Sequence, residues 1–472
     1  MVEPGNKRLA RPPDLQDRSV AIIGMGKSGV AASQLLQAVG ARVTIADEKE
    51  ESGLQDRVAR LRGGPIRVMT GTALQEALHD VELVVLSPGV PSDHPALETM
   101  RDRGVRIVGE IELASWFLEA PLIAVTGTNG KSTTVRLIGA MLEESGKKAF
   151  VGGNLGTPLC EAVSRPSASD GPSIPSSSPY EFVVAEVSSF QLETIEQFHP
   201  WIAALLNLTP DHLDRHPSFG HYRAAKKRIF ENQTSCDVAV LNLDDPIVAE
   251  MGETLSAAVI GFSLARPLQD GVYLQGHEIK ARIRGAETVV AATSEIRLPG
   301  MHNLANVMAA VAIGILCGCR LEAIRRALST FSGLEHALEF VRELRGVKFF
   351  NDSKGTNVDA TEKALASFDE PILLILGGKD KGGNFAQLRD PVRRKVKRVV
   401  VMGEAAPRLA QILKGIKPVS SAGSLSEAVT LAGREAEAGD VVLLSPACAS
   451  FDMFRNYEER GREFKRIVHQ LV

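Results

Sequence analysis

Ala120–Val135 reads A-P-L-I-A-V-T-G-T-N-G-K-S-T-T-V, and the rest of the chain is organised around this stretch. The apolar run Leu122–Val125 predicts a buried strand. Thr126–Gly130 is a turn of small residues. Lys131-Ser132-Thr133 then opens an amphipathic helix with Leu137, Ile138 and Met141 on one face. Strand, glycine loop and helix in that order turn backbone N–H groups and the positive helix end toward phosphate. In such a loop Gly127, Thr128, Asn129 and Gly130 wrap the phosphates. Lys131 reaches the terminal ones, and the Ser132 hydroxyl, beside Thr133, meets Mg²⁺. The spacing follows G-x-x-x-x-G-K-[ST], with Val125 where the first glycine belongs. The competing reading is a plain helix N-cap followed by a surface lysine.

Upstream, Ser19–Ile23 predicts a strand followed by Gly24-Met25-Gly26-Lys27-Ser28-Gly29, a helix over Val30–Val39 and a strand Arg42–Ala46 ending at Asp47. Glycine turn and acidic residue together mark a dinucleotide-type, Rossmann-like unit. The alternative is a glycine turn that only lets strand and helix pack closely. A later strand, Glu82–Leu86, ends in Ser87-Pro88-Gly89, at the edge where such sheets bind ligands. Downstream, strands are expected at Phe182–Val187, Ile202–Leu206 and Val238–Leu241, and a hairpin over Val272–Arg284 about Gly276. Helices follow at Met308–Leu316 and Glu322–Leu328. The Pro/Ser-rich stretch 164–179 reads as a disordered surface loop. A last series of strands, Val347–Phe350, Ile372–Leu376, Arg398–Met402 and Val441–Leu444, alternates with helices. The fold class expected is α/β, with three doubly wound domains: a Rossmann-like unit over 1–109, a central phosphate-loop ATPase unit over 110–333 and a second Rossmann-like unit over 334–472.

Composition narrows the function. The chain has 472 residues, 44% hydrophobic and 24% charged, which is ordinary for a globular protein with more than one core. A net charge of -3 gives no basic signal for nucleic acid. The longest apolar stretch, Met308–Cys319, is too short to cross a bilayer, and the N-terminal residues show no export signal. A cytoplasmic protein with no membrane partner is expected. Five cysteines make no disulfide framework, and Cys317 and Cys319 read as small core residues.

Magnesium and phosphate require oxygen ligands and cations near the loop. Glu186, in A-E-V-S-S-F-Q-L-E, ends a strand and suits a Mg²⁺-holding carboxylate, against the alternative of a surface or capping Glu. His212, in N-L-T-P-D-H, follows another strand and reads equally as a metal ligand or a structural imidazole. Lys226 and Lys227 lie on one basic helix, ordinarily a solvated face. Neighbours cannot share a face, so one of them can turn inward, where burial lowers its pKa and makes it nucleophilic.

T-G-T-N-G-K-S-T, E-V-S-S-F-Q-L-E, N-x-T-x-D-H, R-A-A-K, H-N-x-x-N, N-D-S-K-G-T-N (Asn351–Asn357), G-G-K-D-K (Gly377–Lys381) and S-P-A-C-A-S-F-D (Ser445–Asp452) together resemble the Mur ligase family. The resemblance runs along essentially the whole chain outside the Pro/Ser-rich loop. It implies an ADP-forming ligase that activates the carboxylate of UDP-N-acetylmuramoyl-L-alanine as an acyl phosphate and joins it to D-glutamate. It implies ATP as co-substrate, two Mg²⁺ ions and small-molecule partners only; a monomer is expected. Ser132 and Glu186 would hold one ion, and His212 with a carbamylated Lys226 the second. Lys131, Glu186, His212, Lys226 and His336 would be catalytic. Asn303, Asn306 and Asp352 would join the loop in binding ATP. Lys27, Ser28, Asp47, Glu48, Gly89, Asn154, Ser188 and Gln191 would take the UDP substrate. Lys354, Thr356, Lys381, Ser450 and Tyr457 would take D-glutamate.

The resemblance also exposes departures. Gly333–Glu339 fits G-x-x-H-R-x-E except that Ala337 stands at the arginine, with Arg342 or Arg345 as the expected substitutes. Tyr457 stands where phenylalanine is frequent. Two other classes compete with the ligase: a non-catalytic sensor of UDP-sugars and a nicotinamide dehydrogenase, the latter resting on G-x-G-x-x-G alone. Ligands spread over three units also imply closure of the third unit, with Gly333 as hinge.

Overall fold

A computed structural model describes residues 13–62, 64–71, 74–154, 156–163, 178–213, 215–298 and 300–471. The extreme N-terminus and most of the Pro/Ser-rich loop, 164–177, lie outside the described residues. Three sheets carry the chain, each built around strands whose Val, Ile, Leu and Ala side chains are buried on both faces.

The first sheet is parallel, in the order Arg67–Thr70, Arg42–Asp47, Ser19–Ile23, Leu83–Leu86, Arg106–Gly109. The chain leaves Ser19–Ile23 toward one edge and returns on its other side, which opens a crevice at the strand ends. The following helix, Lys27–Ala38, begins directly at the glycine turn, three residues before the sequence places it.

The second sheet has nine strands. Seven are parallel: Ala149–Gly153, Phe182–Glu186, Leu122–Thr126, Ile202–Leu205, Val238–Asn242, Ala258–Ser263 and Gly271–Gln275. Glu278–Ile283 and Ala286–Ala292 extend it antiparallel. Leu122–Thr126 lies between Phe182–Glu186 and Ile202–Leu205, so the loops after all three open at one edge. Helix Met301–Leu316 begins seven residues before the expected Met308. Its first turns carry Asn303 and Asn306, polar residues that break the apolar pattern but face the phosphate loop. A Cβ at Gly130 would come within 2.1 Å of Asn306 Oδ1.

The third sheet runs Glu339–Leu344, Val347–Asn351, Val441–Leu444, Ile372–Gly377, Val396–Met402, Val419–Ala422, parallel except for its first strand. Asn351, Leu444 and Gly377 end neighbouring strands and bring three loops to one edge. Gly333, in the left-handed region at φ 98, lies between helix Leu321–Thr330 and this sheet. Cys317 and Cys319 are buried, as expected of small core residues, and burial pushes the Cys317 thiol up.

Candidate active site

Gly127 and Gly130, at φ 152 and 87, bend the chain out of Leu122–Thr126 and into helix Lys131–Glu144. The loop is braced by Asn207, whose Oδ1 accepts from Asn129 N at 2.8 Å and whose Nδ2 donates to Asn129 O at 3.0 Å. Lys131 Nζ donates to Gly127 O at 2.9 Å and Thr128 O at 2.8 Å, curled over the loop. Val125 sits inside the strand, fully buried, so the wrapping starts at Gly127.

Ser132 Oγ donates to Glu186 Oε2 at 2.5 Å, and Asn154 Nδ2 donates to Glu186 Oε1 at 2.9 Å. Burial pushes the Glu186 carboxyl up, but Lys131 and Lys354 with these two hydrogen bonds outweigh it and hold the group below its ordinary value. Hydroxyl and carboxylate oxygens are the donors Mg²⁺ selects, and it takes few protein ligands because phosphates and water fill the rest. Among the described residues no group of three or more His, Cys, Asp or Glu is placed to hold a metal ion.

Lys226 is the inward lysine of its pair. Its Nζ donates to Gly127 O at 2.8 Å and Thr126 Oγ1 at 3.2 Å, behind the loop. Burial first, then the charge of Lys131, holds its pKa well below the lysine range. Lys227 points out to Thr254. His212 adopts φ 55 and packs edge-on against Phe190, with Nε2 3.7 Å from Asp211 Oδ2. Asp211 is nearly buried. Burial raises its pKa, but Lys381 and His212 reverse the effect and hold it ionised.

The third sheet's loops close over this edge. Lys354 Nζ donates to Ser132 Oγ at 2.7 Å, Lys381 Nζ to Asp211 Oδ1 at 3.2 Å, and Asn357 Nδ2 to Asp211 Oδ2 at 3.0 Å. Arg460, 1% exposed, ties two of the loops together through Ser353 Oγ and the carbonyls of Ser353, Cys448 and Ala449. Between the sheets lies a cleft of about 560 Å³. Its wall holds Thr128–Thr133, Asn154, Glu186, Asp211, His212, Asn303, Asn306, Asp352, Lys354, Thr356, Lys381, Ser450 and Tyr457. Burial pushes the Asp352 carboxyl up to about 7, although Ser445 Oγ donates to it at 2.7 Å.

A second cleft, about 600 Å³, opens at the first sheet's crevice and is lined by Lys27, Ser28, Asp47, Glu48, Gly89 and Asn154. Asn154 and Tyr457 line both clefts, so the two meet there. Asp47 accepts from Met25 N at 2.7 Å and Lys49 N at 3.0 Å, and so also shapes the glycine turn.

Several expected residues stand elsewhere. His336 does not line the cleft. It is buried beneath Gly461, with Asn351 Nδ2 2.8 Å from its Nδ1, and its carbonyl accepts from Lys354 N at 2.9 Å. Ser188 and Gln191 line neither large cleft; they form a reciprocal cap on helix Ser189–Leu192. Lys226 lies behind the wall. Ala337 does line the cleft, but neither expected arginine replaces it there. Arg342 donates to the carbonyls of Val468, His469 and Leu471, and Arg345 turns an exposed hairpin. Asp211, Asn357, Asp359, Lys363 and Arg460 were not singled out from the sequence. Asn357 carried a signal, since Asn before an amphipathic run marks a helix N-cap.

Comparison with known proteins agrees with this geometry. Residues 18–109 match the Mur ligase MurD-like N-terminal domain, 125–314 the Mur ligase middle domain and 338–448 the Mur ligase glutamate ligase domain. A UDP-N-acetylmuramoylalanine--D-glutamate ligase of Koribacter versatilis is 44% identical over 459 residues, 97% of this chain and 99% of that one. A ligase of the same name from Syntrophus aciditrophicus is 45% identical, covering 96% and 98%. In fold, the chain is similar to a pseudomurein peptide ligase type C from Methanothermus fervidus (TM-score 0.61, 16% identity, 96% and 100% covered). A UDP-N-acetylmuramate-alanine ligase from Thermotoga maritima gives a TM-score of 0.58 at 20% identity, covering 96% and 99%. Phosphate loop, paired clefts and near-complete sequence matches converge on one conclusion: this chain belongs to the Mur ligase family.

Proposed function

We propose that this chain is an ATP-dependent ligase that forms the amide bond between UDP-N-acetylmuramoyl-L-alanine and D-glutamate, in synthesis of peptidoglycan precursors. The observation that carries it is the junction of the two clefts at Asn154 and Tyr457. A nucleotide-sugar held in the first crevice projects its carboxylate past Asn154 toward Lys131 and the phosphate loop. The near-full-length relatives bearing that activity in their name support the same substrates.

The chemistry follows from the charges. A carboxylate oxygen attacks the terminal phosphorus of ATP, ADP leaves, and an acyl phosphate forms. The amine of D-glutamate attacks the acyl carbon, a proton is lost, and inorganic phosphate departs with the electron pair of the broken C–O bond. Lys131 and the loop N–H groups hold the transferring phosphoryl group in place. Mg²⁺ supplies neutralisation of the phosphate oxygens, and Ser132 and Glu186 are the residues that would hold it. Lys354, Thr356, Lys381 and Ser450 offer cations and hydroxyls suited to a dicarboxylate. The closed loops keep water from the acyl phosphate.

The finer assignments belong to the same reading. Lys226, desolvated and depressed, is suited to add CO₂ through its neutral amine with loss of a proton, and the carbamate oxygens with His212 would hold a second Mg²⁺. The division 1–109, 110–333 and 334–472 assigns the UDP substrate, ATP and D-glutamate to successive units. His336 acts by holding Lys354 rather than by touching substrate. A cytoplasmic monomer working on small molecules, without nucleic acid, completes the reading; separately, no helix among the described residues is long and apolar enough to cross a membrane.

A phosphate-release assay with UDP-N-acetylmuramoyl-L-alanine and D-glutamate, L-glutamate, D-aspartate or diaminopimelate tests the reading. Release with D-glutamate alone is expected, and preference for another amino acid overturns the assignment. Lys226→Ala should abolish turnover and regain part of it with added bicarbonate or chloride.

A further inference from the structure

The wall of the cleft at the phosphate loop is charged in part and apolar in part. The charged part is the phosphate loop with Lys131 and Lys354. The apolar part is Leu298, Leu334, Ala337, Leu338, Ala360 and Ala364, a pocket fit for a nucleobase. With terminal phosphates at Lys131 and the base in this pocket, the sugar and its nearest phosphate lie between. Ala337 brings no charge to that span. Lys363, on helix Val358–Ala366, does.

Lys363 Nζ donates to Asp359 Oδ2 at 2.8 Å. On a helix an i,i+4 pair of this kind is ordinarily a weak surface contact. Here the same oxygen also accepts from Asn129 Nδ2 of the phosphate loop. An anionic oxygen is therefore held between an ammonium and an amide at the mouth of a phosphate-binding loop, the environment a phosphate oxygen seeks. We infer that Lys363 is a nucleotide-binding residue whose ammonium transfers from Asp359 to the phosphate nearest the ribose. His302, also on the wall, fits this arrangement. Burial, then the charge of Lys363, pushes its pKa down to about 4, so the imidazole is neutral and leaves Lys363 as the cation of that span.

The inference rests on the cleft being the ATP site, and the test separates the two. Binding of ADP and of adenosine is measured by calorimetry on wild type, Lys363→Met and Lys363→Arg. Lys363→Met should weaken ADP about tenfold and leave adenosine within twofold, with Lys363→Arg recovering most of the loss. ADP binding unchanged in Lys363→Met overturns the role of Lys363 alone. Equal loss of ADP and adenosine also overturns it, since a collapsed base pocket acts on both. A wild type that binds neither ligand refutes the ATP site itself, and the inference with it.

Discussion

Replacing Arg460 with Met tests how the third sheet's loops are held. The guanidinium makes four hydrogen bonds within 3.3 Å, to Ser353 Oγ and three carbonyls. Bonds from a charged donor contribute about 1.5 kcal/mol each at the lower end. Against them stands the cost of burying the charge. The fall of its pKa to about 10 puts that cost at roughly 3 kcal/mol. The surplus is about 3 kcal/mol, the amount by which Arg460→Met should loosen the Asn351–Asn357 and Ser445–Asp452 loops. Cys448 reports on this directly, because the residue is 1% exposed and its thiol must be uncovered to react. Its labelling rate, followed by mass spectrometry, should rise on the order of 100-fold. KM for the amino acid should rise with it, since Lys354 and Ser450 ride on these loops. Arg460→Lys keeps the charge but loses the fork, and should fall between. Labelling of Cys448 in Arg460→Met within threefold of wild type would refute the reasoning.

Three further outcomes are expected. Glu110 is buried, which pushes its carboxyl up to about 7, and one of its oxygens has no partner. The folded state therefore binds this proton more tightly than the unfolded state does. Its contribution to stability is complete below the unfolded value near 4.5 and is lost as pH rises through about 7. Glu110→Gln should remove that loss, and melts from pH 5 to 9 should show the variant gaining on wild type by on the order of 2–3 kcal/mol at the alkaline end. Gly130→Ala combines an unfavourable φ with a Cβ 2.1 Å from Asn306 Oδ1, so ADP binding should drop at least tenfold by calorimetry. In Glu186→Gln the magnesium concentration for half-maximal turnover should rise about tenfold or more, while ADP binding measured without magnesium changes little.

What the sequence revealed was local. The phosphate loop, the first glycine turn and the strand-terminal Glu186 each rest on a few consecutive residues whose backbone and chemistry agree, and the three-sheet α/β plan follows from repeating them. Lys226 and Lys227 show how far such reading goes. Adjacency on a helix says that only one turns inward, but the choice depends on packing against the distant Thr126–Gly127 segment. Contacts across sheets left no local trace. Lys354 reaches Ser132, and Asp359 reaches Asn129, over more than two hundred residues of chain. The expectation for Arg342 failed for the same reason. Nearness to Ala337 in sequence carried it, whereas the strand Glu339–Leu344 turns it to the end of helix Tyr457–Gln470. The resemblance gives His336 a catalytic role, but its ring points into the space that Gly461 leaves.

Asn154 has a peculiar position in this arrangement. One amide both supports the carboxylate suited to magnesium and forms part of the partition between the two chambers. Any change to it reaches both chambers at once. Kinetic constants for the nucleotide-sugar and for ATP should therefore move in step across every Asn154 variant, and mutational dissection of the two sites has a blind spot at that residue.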